Sequence, residues 1–197
     1  MPRPGRPAAT RRFDPDRRER IIEAALQVVE DRGVGGLTFR AVADRADVPL
    51  GSTTYHFADK DELVREVLRT ARERSRRFAT ETLRDAVGRL GLVRGIALLV
   101  EELTVRRHAL LVLEHDLYLS ALRNPALREE SRKWSSDFVE VLSDFADPES
   151  AVALGYLFDG ICMQSALFDI LFFAADVEPQ IALVLEGSRA MRSQQRG

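Results

Sequence analysis

Residues 49–55 carry small and hydroxyl side chains that are suited to reading the edges of DNA bases. They form the second of two short predicted helices that meet at a tight turn, which is the pattern of a helix-turn-helix. Gly51 and Ser52 would let the backbone approach base edges in a major groove. Since the segment has no arginine or lysine for bidentate guanine contacts, we expect base reading by the hydroxyls of Ser52 and Thr53. Pro49 or Leu50 would add apolar contact with thymine methyl groups.

The distribution of charge favours a polyanionic partner for the N-terminal end. The 197 residues include 29 Lys+Arg and 31 Asp+Glu, for a formal net charge of −2. Residues 1–20 nevertheless contain seven arginines and three acidic residues, whereas residues 61–197 contain 18 basic and 22 acidic residues. Basic side chains that neutralise phosphates release condensed counterions, so this end could bind nucleic acid. A solvated basic tail is the alternative interpretation.

The first 13 residues are predicted to form a flexible basic arm. Its segment Arg3-Pro4-Gly5-Arg6-Pro7 is similar to the Arg-Gly-Arg-Pro core that lies in A·T-rich minor grooves, with one proline inserted. Arms of this kind reach around the duplex from a neighbouring helical module. Arg3 and Arg6 are therefore candidate DNA contacts, and a disordered arm with general phosphate affinity is the alternative.

Composition excludes several classes of protein. At 45% hydrophobic and 30% charged residues, the chain is neither disordered nor uniformly basic. The single cysteine, Cys162, cannot form an internal disulfide. The N-terminus lacks the apolar segment of a secretory signal, and no run reaches the roughly 18 apolar residues of a membrane span. We expect a cytoplasmic protein with no membrane association and no cofactor.

Apolar positions recur at helical spacing almost throughout, and no alternation typical of strands is present, which predicts an all-α fold. Asp14-Pro15 should begin a first helix that ends at Gly33. Thr38 should cap the second helix, and Asp59, with Glu62 as its capping-box partner, the fourth. We predict about nine helices: a three-helix helix-turn-helix domain over 14–58, followed by a helical bundle over 59–197. Its later helices should span about 92–106, 108–122, 126–145, 149–174 and 178–192.

With these elements in place, the sequence resembles the TetR family of regulators, named for the tetracycline repressor. The resemblance covers about residues 15–68. It rests on Gly33, Leu37-Thr38-Phe39-Arg40, Val42-Ala43, Ala46, Val48, Gly51, Tyr55-His56-Phe57, Lys60 and Glu62-Leu63.

The resemblance implies a division of roles within the DNA-binding set. Thr38, Tyr55, His56 and Lys60 would contact phosphates, and Arg40 belongs to the same candidate set. Leu50, Gly51, Ser52 and Thr53 would face bases, and Phe57 would fix the recognition helix on the first helix. Thr54 stands where the family often has tyrosine, so either Thr54 or Tyr55 could reach the phosphate. Thr38 could also act only as a cap, and His56 could instead pack against neighbours.

The resemblance also implies a ligand cavity among the middle helices and a dimer through the last two. Polar groups within apolar helices mark such a cavity, although each could equally be a satisfied or solvent-facing residue. The candidates are Phe78, Leu113, His115, Tyr118, Trp134, Phe138, Tyr156, Asp159, Met163 and Gln164. The predicted dimer stripes are Val152, Tyr156, Met163 and Leu167, with Ile181, Val184, Leu185, Ser188 and Met191. His108 and His115 lie about 10 Å apart on one helix, so no metal site is expected.

These features together favour a homodimeric repressor that a small hydrophobic molecule releases from a double-stranded DNA operator. The first alternative is an architectural DNA-binding protein without ligand response. A helical enzyme is the second alternative, but the sequence lacks a nucleophile and base at useful spacing and a phosphate-cradling glycine loop.

Overall fold

The computed structural model describes residues 16–195, and this part of the chain is helical with no β-strand. Nine α-helices lie within it, so the prediction of an all-α protein with an N-terminal helix-turn-helix is confirmed. They are α1 (Arg17–Arg32), α2 (Phe39–Ala46), α3 (Leu50–His56), α4 (Lys60–Leu90), α5 (Leu92–Glu101), α6 (His108–Leu119), α7 (Arg128–Ser143), α8 (Pro148–Phe168) and α9 (Ala174–Gln195).

The first helices start and stop at the residues that local chemistry selects. The Thr38 hydroxyl oxygen accepts a hydrogen bond from the Ala41 amide at 3.1 Å, which caps α2. Asp59 accepts from the Glu62 amide at 2.7 Å at the start of α4. The Glu62 carboxylate accepts from the amide of Ala58, one residue before the cap. The predicted cap at Asp14 lies outside the described residues, and α1 begins at Arg17.

The C-terminal helices differ from the prediction at their ends. The helix expected over 149–174 stops at Phe168, where Asp169 adopts a left-handed conformation with φ of 54°. Helix α9 then begins at Ala174, four residues before the expected start at about 178, so Pro179 is its sixth residue. Its first amide donates at 2.9 Å to Glu101, a residue 73 positions earlier in the chain. This cap comes from a distant element, so local sequence patterns could not show where α9 begins.

The apolar side chains form two cores, and α4 belongs to both. The first core joins α1, α2 and the N-terminal half of α4, and it includes Phe57. The second core joins the C-terminal half of α4 with α5, α7, α8 and α9. Helix α6 also serves both, because Leu111 packs in the second core and Leu117 in the first. At 1.5 Å per residue, the 31 residues of α4 extend about 45 Å from one core to the other.

Helix α8 is the one helix among residues 16–195 that is long and apolar enough to cross a membrane. Its mean hydropathy reaches 1.4 over 18 residues, and 39% of that window is buried inside the protein. Leu154, Ile161 and Cys162 on this helix belong to the second core. Since the core helix of a soluble protein meets the same criterion, this feature is weak evidence for a membrane span.

Candidate nucleic-acid interface and ligand pocket

The recognition helix α3 presents an exposed face of mixed apolar and hydroxyl character. Tyr55 is 85% exposed, and Leu50 is 45% exposed at the start of the helix. Pro49, Gly51 and Thr54 are exposed beside them. Phe57, which follows the helix, is fully buried in the first core, and the Arg18 guanidinium lies 5.2 Å from its ring centroid. Phe57 therefore anchors the end of α3 in the first core, to which α1 also contributes, as expected of a residue that fixes the recognition helix on the first helix.

Thr53 does not face outward, which contradicts its predicted role in base reading. Its side chain is fully buried, and its hydroxyl donates a hydrogen bond to the Leu50 carbonyl at 2.7 Å. The position lies four residues before Phe57, on the face of α3 that packs against the core. The exposed hydroxyl on this turn belongs to Thr54, and Ser52 is half-buried.

The predicted phosphate-contacting residues lie at helix ends around α3. Thr38, Arg40 and Lys60 are exposed, and Lys60 is the first residue of α4. The Thr38 oxygen accepts the capping hydrogen bond, which leaves its hydroxyl proton for another acceptor. His56 is half-buried with its ring edge-to-face with Tyr55, the two centroids 5.2 Å apart. Arg3 and Arg6 lie outside the described residues.

The helices that follow α3, from α4 to α9, form the body of the protein, and a pocket lies in the body between α4, α6, α7 and α8. It contains about 770 Å³ not occupied by protein atoms, including its opening to solvent. The lining residues are Arg72, Ser75, Arg76, Ala79, Leu103, Leu111, Glu114, His115, Tyr118, Trp134, Ser135, Asp137, Phe138, Val141, Phe158, Asp159, Cys162 and Met163. Phe138 and Phe158 stack with centroids 3.7 Å apart, which gives the pocket an aromatic wall.

Six of the ten predicted ligand residues line this pocket: His115, Tyr118, Trp134, Phe138, Asp159 and Met163. Phe78 and Leu113 line a neighbouring cleft between α1, α4 and α6, where the Arg107 guanidinium stacks 3.8 Å from the Phe78 ring centroid.

Tyr156 and Gln164 do not line the pocket, which corrects their predicted role. Both are exposed on the outer face of α8, and Tyr156 is 71% exposed. Positions 156, 160 and 164 follow one another at four-residue spacing, so they share a face. The pocket takes Phe158, Asp159 and Met163 from another side of the same helix.

The sequence prediction missed six polar pocket residues with charged or hydroxyl side chains: Arg72, Ser75, Arg76, Glu114, Ser135 and Asp137. Positions 111, 114, 115 and 118 follow helical spacing, and so do positions 72, 75, 76 and 79. The sequence feature that could have indicated Glu114 is a single glutamate directly after the apolar run 109–113.

Glu114 is a buried carboxyl group in the pocket wall. It is 5% exposed, and the Ser75 hydroxyl donates to it at 3.2 Å. Removal from water disfavours its charged form and raises its pKa to about 7, although the Ser75 hydrogen bond and the nearby Arg107 charge act in the opposite direction. Near neutral pH this group is therefore divided between its protonated and ionised forms.

Asp159 lies on the α8 side of the pocket and accepts a hydrogen bond from the Ser135 hydroxyl at 2.9 Å. Burial raises the pKa of Asp159. The pKa of Tyr118 is also raised, first by burial and then by the Asp159 charge. Glu114 and Asp159 thus receive these hydrogen bonds from neutral hydroxyls.

The two arginines of the pocket form ion pairs with carboxylates other than Glu114 and Asp159. Arg72 donates to Asp137 at 2.7 Å, and its Nε lies 3.6 Å from Glu130. Arg76 lies 3.7 Å from Asp137 and 3.3 Å from Glu140. Burial raises the pKa of Asp137 although the Arg72 hydrogen bond and charge lower it.

His115 presents a neutral imidazole to the pocket. One ring nitrogen, Nδ1, lies 2.8 Å from the Leu111 carbonyl oxygen, and burial lowers the pKa of the ring. Burial also raises the pKa of the Cys162 thiol, which disfavours the thiolate that a metal would need. Within residues 16–195, no three His, Cys, Asp or Glu side chains are grouped to hold a metal ion.

The outer faces of α8 and α9 carry exposed apolar residues. On α8 these include Val152, Tyr156, Leu167 and Phe168, and on α9 they include Leu183 and Met191. The predicted α9 stripe is wrong in part, because Ile181 and Leu185 are buried in the second core. Met163, predicted for the α8 stripe, is half-buried and lines the pocket.

A helix-turn-helix joined by a shared helix to a body with a pocket defines the class of helix-turn-helix transcriptional regulators. The family model for bacterial regulatory proteins of the tetR family matches residues 21–67. The model for the tetracyclin repressor-like C-terminal domain matches residues 87–188. The chain belongs to the TetR family, whose members regulate transcription and are not enzymes.

Relatives of known structure share both parts of the chain. The multidrug binding protein EbrR is 38% identical, with TM-scores of 0.73 to 0.77, and was crystallised with imidazole, ethidium, proflavin or malachite green. The match covers 85–87% of this chain and 96–99% of EbrR. A TetR family member from Streptomyces coelicolor A3 is 38% identical over 87% of this chain and 99% of its own, with a TM-score of 0.74. The regulator BetI of Burkholderia cenocepacia is 27% identical over 77% of this chain and 82% of its own.

The raised pKa of Glu114 predicts that stability depends on pH through this residue. The folded chain keeps a proton that the unfolded chain releases near pH 4.5, so the free energy of unfolding should fall as pH rises from about 4.5 to about 7. Glu114→Gln removes this titration. The unfolding free energy of the variant minus that of wild type should therefore be larger at pH 8 than at pH 5, by up to about 3 kcal/mol.

Urea unfolding at both pH values, at one protomer concentration, measures this difference. Glu81→Gln on the exposed face of α4 is the matched control, and it should track the wild type. If the unfolding free energies of Glu114→Gln and wild type changed equally with pH, Glu114 would titrate in the folded chain as it does in the unfolded chain, and the prediction would be wrong.

Proposed function

We propose that this protein is a homodimeric repressor that leaves its operator when an aromatic organic cation binds the pocket. Residues 14–58 would bind DNA, with residues 1–13 as a basic arm, and residues 59–197 would bind the effector and the second subunit. The observation that carries the proposal is that one pocket contains two carboxyl groups, Glu114 and Asp159, together with an aromatic wall. As a regulator of transcription, the protein would act in the cytoplasm.

The exposed face of α3 supports a DNA-binding role. Leu50, Gly51 and Thr54 would face bases, with half-buried Ser52 beside them. A Cβ on Gly51 would meet nothing within 4 Å, so packing inside the chain does not require glycine there. Close approach of α3 to a base edge provides a reason for it. Phosphates around this face would be contacted by five side chains: Thr38, Arg40, Tyr55, His56 and Lys60.

The electrostatics of the pocket support a cationic effector. Arg72 and Arg76 are held by Asp137, Glu130 and Glu140, and they do not pair with Glu114 or Asp159. A bound cation would therefore find two carboxylates that accept hydrogen bonds from serine hydroxyls. Aromatic faces attract cations as well. The EbrR complexes with ethidium, proflavin and malachite green are consistent with this chemistry.

The outer surface of α8 and α9 supports a dimer through these helices. Several large apolar side chains are exposed there, and Leu183 is 70% exposed. Gly160 on α8 and Gly187 on α9 have open space above them, which would let a second copy approach closely. A twofold dimer also provides the two recognition helices that an operator with two half-sites requires.

The mechanism follows from the shared helix α4. Its residues Arg72, Ser75 and Arg76 line the pocket, and its N-terminal half packs against the helix-turn-helix. A ligand that tilts α4 would change the spacing of the two recognition helices, so that they no longer fit successive major grooves. Ligand and operator would then oppose each other through one reciprocal coupling energy.

An architectural DNA-binding protein is the second candidate, but the distribution of charge disfavours it. Residues 61–197 carry more acidic than basic side chains, whereas a protein that wraps DNA would present arginine on many faces. Competition with unrelated DNA separates the two functions, because a repressor retains a large specificity ratio and an architectural protein does not.

Lys60→Ala should weaken binding to the DNA upstream of the chain's own gene by about 3- to 10-fold. It should also reduce the slope of log affinity against log salt by about 1, because one phosphate contact is lost. Mobility-shift titrations at several salt concentrations measure both effects. The control is Lys133→Ala, which changes the other lysine of the chain, paired with Glu130 on α7. Equal losses for the two variants would contradict the assignment of Lys60.

Glu114→Gln and Asp159→Asn should each weaken malachite green binding about tenfold or more, because each removes one charge partner of the cation. Trp134 is the one tryptophan in the chain and lines the pocket, so its fluorescence quenching measures binding. Asp144→Asn, at the exposed C-terminal end of α7, is the matched control. Unchanged affinity in both pocket variants would exclude a cation held by these carboxylates.

Leu183→Glu should convert the dimer to monomers at micromolar concentration, because it would bury an unpaired charge between subunits. Size-exclusion chromatography with light scattering gives the mass. Leu122→Glu is the control, since Leu122 is 77% exposed and lies between α6 and α7. A dimeric Leu183→Glu protein would place the interface elsewhere.

A further inference from the structure

Helix α6 connects the pocket to the helix-turn-helix through neighbouring residues. Glu114, His115 and Tyr118 line the pocket. Asp116, between them in sequence, is exposed and accepts a hydrogen bond from the Val34 amide at 3.0 Å. The two residues are 82 positions apart in the chain, so this contact joins the body to the DNA-binding part.

Val34 begins the turn that sets the position of α2. The turn is a short 3-10 segment, Val34–Gly36, between the end of α1 and the capping residue Thr38. The Asp116 carboxylate also packs closely against it, since a Cβ added to Gly33 would lie 3.2 Å from Asp116 Oδ2. A displacement of Asp116 would therefore act directly on the connection between α1 and α2.

The packing of α6 makes such a displacement follow from events in the pocket. Leu117, next to Asp116, is fully buried in the first core, whereas Leu111 is buried in the second. The helix is thus held by both cores, and the pocket residues Glu114 and His115 lie between these two anchor points. A ligand that contacts Glu114 or Tyr118 would shift the segment that carries Asp116.

We propose that Asp116 is a positioning residue for regulation: its hydrogen bond to the Val34 amide holds the α1–α2 turn in the operator-binding arrangement, and effector binding weakens that bond. The inference rests on the proposed function, because it concerns how pocket occupancy reaches DNA. If the bond exists mainly in the operator-binding state, its loss shifts the population towards the released state before any ligand is added.

Two variants of Asp116 separate this role from a general effect on folding. Asp116→Ala removes the acceptor, whereas Asp116→Asn keeps an amide oxygen that can accept from Val34 N. Asp144→Ala is the matched control for loss of an exposed aspartate in the body. Circular dichroism and urea unfolding establish that each variant is folded.

The experiment measures two affinities for each variant. Mobility shifts on the DNA upstream of the chain's own gene, with and without malachite green, give operator affinity and the release factor, defined as the ratio of the two dissociation constants. Malachite green is used because ethidium and proflavin are planar and would intercalate into the duplex. Quenching of Trp134 gives ligand affinity in the absence of DNA.

Without ligand, Asp116→Ala should bind the operator about 3- to 10-fold more weakly than wild type. By reciprocal coupling, its malachite green affinity without DNA should stay the same or tighten and should not weaken, because the released state is the one that binds the effector. Asp116→Asn should retain wild-type values. The proposal is overturned if ligand-free Asp116→Ala binds the operator as tightly as wild type, or if Asp116→Asn is as impaired as Asp116→Ala.

These outcomes are distinct from failure of the proposed function. If malachite green does not bind the wild-type protein, or binds without releasing DNA, the cationic effector is wrong. The ligand-free operator affinities of the two Asp116 variants still decide the positioning role, because they need no effector.

Discussion

The packing of one helix in two separate cores is the constraint on which the rest of the structure depends. Leu63 and Leu68 of α4 are buried against the helix-turn-helix, and Leu83 is buried against the body. Separating α4 from the first core or from the second core would expose apolar side chains to water. If the 31 residues of α4 move as one rigid helix, a change of tilt at one end displaces the other. The pocket residues of α4 lie between these two packed segments.

The charged pocket groups between α4 and α7 are paired with one another. Arg72 satisfies Asp137 and approaches Glu130 across the space between α4 and α7, so the helices are joined by hydrogen-bonded ion pairs as well as by apolar contact. Glu114 has a serine hydroxyl instead of an arginine at hydrogen-bond distance, and burial raises its pKa to about 7. A carboxyl group in this position costs stability when it is ionised. Its presence is understandable if a ligand supplies the missing charge.

Sequence reasoning succeeded where the determining interaction is local. The caps at Thr38 and Asp59 involve residues three positions apart, so their spacing is visible in the chain. The start of α9 was missed because its first amide is satisfied by Glu101, which only the folded chain brings near. Thr53 was misassigned because Ser52, Thr53 and Thr54 all carry hydroxyls, and only packing shows which of them is buried. In α8, apolar residues occupy both the core face and the exposed face, so periodicity could not place Tyr156.

The hydrogen bond between Asp116 and Val34 has unequal requirements on its two sides. The acceptor is a particular side chain, whereas the donor is a main-chain amide that every residue except proline supplies. Substitutions on α3 that alter which sequence is read leave this donor in place, and so do most substitutions at position 34 itself. The preferred operator sequence could therefore change during evolution while the hydrogen bond between α6 and the α1–α2 turn is kept.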